Sequence, residues 1–330
     1  MTVSIEYLGL KLASPLIVGA SPFADDVQTA RLLQDMGAGA IVLRSLFEEQ
    51  IYLDALSEAP ARKTSALPPS GKAPYFPAPS EYRLTPERYL RQIADLKEAL
   101  DMPVIASLNG CRPGGWIDYA ARCERAGADA IEISLYQLPT DPALSALEVE
   151  AEMLETVRLV KESVRLPVAA KLSPFLSSPA NFARRLEQAG ASGIVLFNRM
   201  YQSGIERDGK QEGSVLGLSS ASELLLRLRW LAIVSPHLKC SLAATGGVQT
   251  GGDLIKAILA GADGVQVVSA LLRQGPRYAG VMLETLETWM RERGYRTIEE
   301  FRGLMNLERC ADPAAFERAD YQRILQHWRI

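Results

Sequence analysis

Eight short apolar runs recur along the chain, at residues 15–21, 40–45, 103–109, 130–135, 167–173, 193–198, 240–246 and 264–269. Each is rich in Val, Ile, Leu or Ala with little alternation, the pattern of strands covered on both faces of a parallel sheet. Between them lie stretches in which apolar residues return every three or four positions, at 86–100, 147–164 and 222–234. That spacing predicts helices with one buried face. Strand and helix alternate, which predicts an α/β architecture with a parallel sheet. Eight strands favour a (β/α)8 TIM barrel over a doubly wound open sheet, with residues 1–330 as one domain.

The punctuation agrees with this. Gly37-Ala38, Gly127-Ala128, Gly190-Ala191 and Gly261-Ala262 each follow a helical stretch and precede a strand. Glycine there predicts a left-handed residue closing the helix. Thr85-Pro86 and Ser178-Pro179 place a cap residue before a first-turn proline. Thr250 with Asp253 has the spacing of a capping box. Long loops are expected after the second strand (46–84), the fourth (136–146) and the sixth (199–218). On one face of a barrel they would wall a substrate pocket.

Composition narrows the function. The formal charge of −3 and the scattered Lys and Arg give no reason to expect a nucleic-acid or anionic-membrane partner. No apolar run approaches the roughly 20 residues of a membrane span. The first residues lack the basic and apolar blocks of a signal peptide, so a cytoplasmic location is expected. The four cysteines, Cys111, Cys123, Cys240 and Cys310, form no C-x-x-C pair, which argues against a zinc site or iron–sulfur cluster held by this chain alone. Neither His237 nor His327 falls at a strand end, which disfavours a Ser-His-Asp triad.

Candidate chemistry concentrates at strand ends. The stretch from Cys240 to Pro276 reads as strand, Gly246-Gly247, helix, strand, Ser269-Ala270. Two glycines at a strand end leave backbone N–H groups open to an anion, and a helix start near Gly275-Pro276 would add its positive dipole. In a (β/α)8 barrel the loops after strands 7 and 8 commonly cradle phosphate. The other strand ends offer Ser21, Arg44, Ser45, Asn109, Glu132, Ser134, Lys171, Ser173 and Asn198. Lys171 lies within Val168-Ala169-Ala170-Lys171-Leu172, where burial demands an anionic partner. It is either a Schiff-base lysine or a fixed cation facing an anionic ring or phosphate.

These residues resemble the dihydroorotate dehydrogenase family over nearly the whole chain. The matching pieces are Ser14-Pro15-Leu16, Gly19-Ala20-Ser21, Arg44-Ser45, Glu132-Ile133-Ser134, Lys171-Leu172 and Phe197-Asn198. Further on come Ala244-Thr245-Gly246-Gly247-Val248, Ala260-Gly261-Ala262, Val265-Gln266-Val267-Val268-Ser269-Ala270, Gly294-Tyr295 and Phe301-Arg302-Gly303. The resemblance implies a single FMN-binding barrel oxidoreductase of pyrimidine biosynthesis that passes hydride to flavin N5. It implies that Gly246, Gly247, Ser269 and Ala270, with Gly217 as a looser match, hold the FMN phosphate. Lys171 would sit by the flavin N1–C2 edge, and Ala20, Ser21, Ser45 and Asn109 would line the ring and ribityl chain. Arg44, where the family has lysine, would serve cofactor and substrate, as would Asn198, with Ser134 beside the substrate.

Departures from the family fall on the substrate side. The loop Ser134-Leu135-Tyr136-Gln137-Leu138-Pro139 puts Gln137 where the soluble class has its cysteine base and the membrane-associated class a serine. A carboxamide takes up no proton at ordinary pH. Tyr136 would replace that base if Lys171 or Arg44 lowered its pKa; Cys111 is another acid to weigh. The asparagine motif expected after the second strand is missing from Tyr75-Phe76-Pro77-Ala78-Pro79. Three readings therefore stand: oxidation of dihydroorotate or a related small substrate, a non-catalytic or partner-dependent flavin-binding subunit, and a non-redox Schiff-base barrel. The resemblance also implies a homodimer and leaves room for a redox partner protein. The missing amphipathic N-terminal extension disfavours the membrane-associated class.

Overall fold

The computed structural model describes residues 1–52, 84–110, 113–199, 217–313 and 320–327. A two-stranded antiparallel hairpin, β1 (Ile5–Tyr7) and β2 (Leu10–Leu12), opens the chain. Eight parallel strands follow: β3 (Leu16–Val18), β4 (Ala40–Phe47), β5 (Val104–Asn109), β6 (Ala130–Ser134), β7 (Val168–Leu172), β8 (Gly193–Leu196), β9 (Ser241–Thr245) and β10 (Gly264–Val267). They close in the order β10-β3-β4-β5-β6-β7-β8-β9. This is the (β/α)8 barrel that the alternating pattern predicted.

The strands are almost wholly buried, as expected of segments covered by helices outside and side chains within. Helices Pro86–Ala99 and Ala146–Ser163 meet the sequence reading to within a residue. The third, read as 222–234, is split. A short 3-10 turn at Ala221–Glu223 precedes helix Leu224–Val234, because the Ser220–Glu223 capping box tightens the first turn. Thr85 caps as expected by accepting from Arg88 N, and the Thr250–Asp253 box is complete. Ser178 precedes its helix without a side-chain cap bond. The four helix-closing glycines all have positive φ, from 90° to 117°.

The hairpin was not legible in the sequence, since three-residue strands are too short for a periodicity. Its turn approaches the N-terminal end of the barrel, where Leu8 N–H donates to Ser241 Oγ at 2.8 Å. A Cβ on Gly193 would stand 2.4 Å from Leu8 Cδ2, and one on Gly264 would stand 3.5 Å from Tyr7 Cδ2. The hairpin thus closes one end of the barrel and leaves chemistry to the other.

The expected loops after β4 and β8 fall largely outside the described residues, as do Cys111 and the segment Tyr75–Pro79. Gln50 marks where the first of these loops leaves and returns: its Oε1 accepts from Phe47 N at 2.9 Å and its Nε2 donates to Leu84 O at 3.1 Å. Among the described residues no helix is long and apolar enough to cross a membrane.

Candidate active site

A cavity of about 680 Å³ opens at the C-terminal ends of the barrel strands, within the range usual for small-molecule and cofactor sites. Ala20, Ser21, Arg44, Ser45, Asn109, Ser134, Tyr136, Lys171, Asn198, Gly246, Gly247 and Ser269 all line it. They come from separate strands and meet only because each strand ends at this face. Ala270 is buried in the first turn of the short helix Ser269–Gln274 rather than on the cavity wall. Gly217 and Gln137 also lie off the wall. The Gln137 Oε1 is buried and has no hydrogen-bond partner among the described residues.

The floor holds a charged group. Lys171 Nζ donates to Glu132 Oε1 and to Gln266 Oε1, each at 3.0 Å, and Gln266 Nε2 donates to the other oxygen of Glu132. All three residues are buried. This is the anionic partner that a strand-embedded lysine required. It also weakens the Schiff-base reading, because the Lys171 nitrogen is held by Glu132 and Gln266 rather than left open to a carbonyl substrate.

Arg44 owes its position to an irregularity. The β4–β5 register shifts between Val42 and Ser45, so one extra residue is accommodated in the middle of β4. The guanidinium then reaches Asp25 with Nη2 at 2.8 Å and Nε at 3.2 Å. Both cations named beside Tyr136 in the sequence reading therefore already face a carboxylate, Arg44 with Asp25 and Lys171 with Glu132. Ser45 Oγ bonds Ser107 Oγ at 2.8 Å. Behind them Tyr89 OH accepts from Ser107 N and donates to Ser107 O. Burial pushes its phenol well above the usual range. Asn198 Nδ2 donates to Ser134 Oγ at 2.7 Å.

The anion-binding end is more built than the sequence suggested. Gly246 and Gly247 have φ of 87° and 82°, which only glycine adopts without strain. A Cβ on Gly247 would come within 2.3 Å of Leu224 N. The Gly247 N–H is not bare, as expected from sequence, but donates to Ser219 Oγ at 3.2 Å. Ser219, missed in the sequence, also bonds Ser269 Oγ through both its N–H and its hydroxyl. Its serine-rich surroundings carried no spacing signal. The helix start facing this end is that of Ser269–Gln274, not the one near Gly275-Pro276; Val268, Ser269 and Leu272 line the cavity, and the longer helix begins only at Tyr278. Arg227 lies behind Gly246, donating to the carbonyls of Thr245, Glu223 and Phe197, with its pKa lowered by burial.

Ser21 Oγ is buried against the cavity and has no partner among the described residues. A polar atom in that state calls for a water or a ligand atom to bond. Together with the Gly246-Gly247 pair, whose left-handed backbone lines the same cavity, it fits a phosphorylated, polar-edged cofactor.

Residues 85–290 match the model of the family described as dihydroorotate dehydrogenase. The chain belongs to this family. It is 26% identical over 319 residues to the catalytic subunit of a dihydroorotate dehydrogenase B (NAD(+)) of Pyrococcus abyssi, covering 92% of this chain and 98% of that one. It is 24% identical over 320 residues to the NAD-dependent dihydropyrimidine dehydrogenase subunit PreA of Escherichia coli, covering 92% and 77%. A chloroplastic dihydropyrimidine dehydrogenase (NADP(+)) of Arabidopsis thaliana is 25% identical over 324 residues, covering 91% and 76%. The dihydroorotate dehydrogenase family is a family of oxidoreductases, as these names state.

Proposed function

We propose that this protein is an FMN-dependent oxidoreductase acting on the carbon–carbon bond of a small polar substrate related to, but distinct from, dihydroorotate. The observation that carries this reading is the split character of one cavity. Its cofactor side keeps the glycine pair, Ser269 and a buried lysine, while Gln137 stands where the family keeps its base and is turned off the wall.

FMN would supply a hydride acceptor at its ring. The backbone N–H groups of Gly246, Ser269 and Ala270 would hold its phosphate beside the start of helix Ser269–Gln274, while the Gly247 N–H stays on Ser219 Oγ. Ala20, Ser21, Ser45 and Asn109 would flank the ring and ribityl chain, and Lys171 would present its charge to the ring edge. Arg44, Ser134 and Asn198 would orient the substrate. Tyr136 is the titratable hydroxyl on the wall nearest in sequence to the vacant base position, and it would carry the substrate proton.

A second reading, a flavin-binding subunit that turns over only with a redox partner, is favoured by relatives that are themselves named as subunits. A homodimer follows from family resemblance, and the cytoplasm is the location proposed. Anaerobic absorbance titration tests these readings. Bleaching of the flavin by a dihydropyrimidine analogue but not by dihydroorotate supports the first. A flavin that none reduces without an added partner supports the second. Prompt bleaching by dihydroorotate overturns the altered substrate.

A further inference from the structure

We propose that Gln266 is a positioning residue that fixes the Lys171 ammonium at the cavity floor and so sets the charge a bound flavin experiences. The inference rests on the FMN reading only in its second half.

The barrel order places β10 four strands from β6 and three from β7, on opposite sides of the closed sheet. Gln266, on β10, therefore reaches across the interior to both Glu132 and Lys171. Its amide orientation is forced. An ammonium only donates, so it must face Oε1; a carboxylate only accepts, so it must face Nε2. The side chain can bridge the ion pair in one sense alone.

The three groups sit at different depths. Lys171 and Gln266 line the cavity, whereas Glu132 does not. Among the described residues the ammonium commits two of its three N–H groups, to Glu132 and Gln266, which leaves one for an occupant. Glu132 pulls the ammonium down and away from the cavity. Gln266 offers a neutral acceptor at cavity level, so the charge is shared rather than surrendered to the carboxylate.

The two partners should then act in opposite directions. Gln266→Met preserves length and removes both hydrogen bonds. Lys171 then collapses onto Glu132, the reduced ring loses stabilisation, and the flavin potential falls. Glu132→Gln removes the counter-charge, the ammonium acts on the ring uncompensated, and the potential rises. Each change is expected to reach tenfold in the oxidised-to-reduced ratio, about 30 mV for a two-electron couple. A merely structural role would move neither potential in a signed way.

The first half is tested without flavin. Acetylation of Lys171, followed by peptide mass spectrometry on FMN-free protein, is expected to change at least fivefold in rate in Gln266→Met. Circular dichroism confirms that the variant is folded. An unchanged labelling rate overturns the inference. So does an FMN-bound Gln266→Met protein whose potential stays put, or one whose potential moves the same way as Glu132→Gln. A labelling change in a protein that binds no FMN keeps the bridge and overturns the flavin reading instead.

Discussion

Asn198 Nδ2 donates to Ser134 Oγ across 2.7 Å, tying the end of β8 to the end of β6 over the cavity. One amide N–H is spent in this way, and among the described residues Oδ1 and the second N–H have no other partner, which leaves them for a ligand. Asn198→Ala is therefore expected to raise KM roughly tenfold, the cost of about 1.4 kcal/mol for one lost hydrogen bond, with flavin content unchanged. Steady-state kinetics on the substrate found by titration checks this.

Tyr136→Phe keeps the ring on the wall and removes its hydroxyl. If the phenol carries the substrate proton, turnover falls about 10²–10⁴-fold with bound FMN and KM near wild type. An unaltered turnover number assigns Tyr136 to the wall alone.

Gly247→Ala meets two penalties: a φ of 82° and a Cβ 2.3 Å from Leu224 N. Because the clash is with backbone, the segment at Leu224 must shift. The expected result is a loss of about 1–3 kcal/mol in unfolding free energy and release of FMN on gel filtration. Urea titration and the absorbance of the eluted protein measure the two effects.

The barrel, its eight strands and most cavity-facing side chains could be read from the chain, because runs such as Val168–Leu172 need burial on both faces. A lysine inside such a run announced a buried partner. What stayed hidden was whatever depends on distance across the barrel. Gln266 looked like an ordinary member of an apolar strand, yet its partners lie on the opposite wall. Ser219 acts through Gly247 and Ser269, both remote in sequence. The β1–β2 hairpin was too short to show a period, and the shift in β4 register that places Arg44 leaves no mark in composition.

Alkaline pH should destabilise the fold. Burial pushes the thiols of Cys123 and Cys240 up to about 12 and the phenols of Tyr7 and Tyr89 well above the ordinary range. A raised folded pKa stabilises below the unfolded value, and that contribution is lost as pH climbs toward the folded one. Unfolding free energy is thus expected to fall from about pH 9 upward, by at most about 1.4 kcal/mol per pH unit for each group. Urea denaturation at pH 7.5, 9 and 10.5 checks this, and Cys123→Ala with Cys240→Ala should flatten the slope.

If the cavity holds a phosphorylated flavin, fluorescence titration of the flavin-free protein with FMN and with riboflavin will separate the two ligands. One FMN is expected to bind per chain, with riboflavin at least a hundredfold weaker because it cannot use the Gly246, Gly247, Ser269 and Ala270 end. No binding of FMN, or equal binding of the two, would contradict the flavin reading.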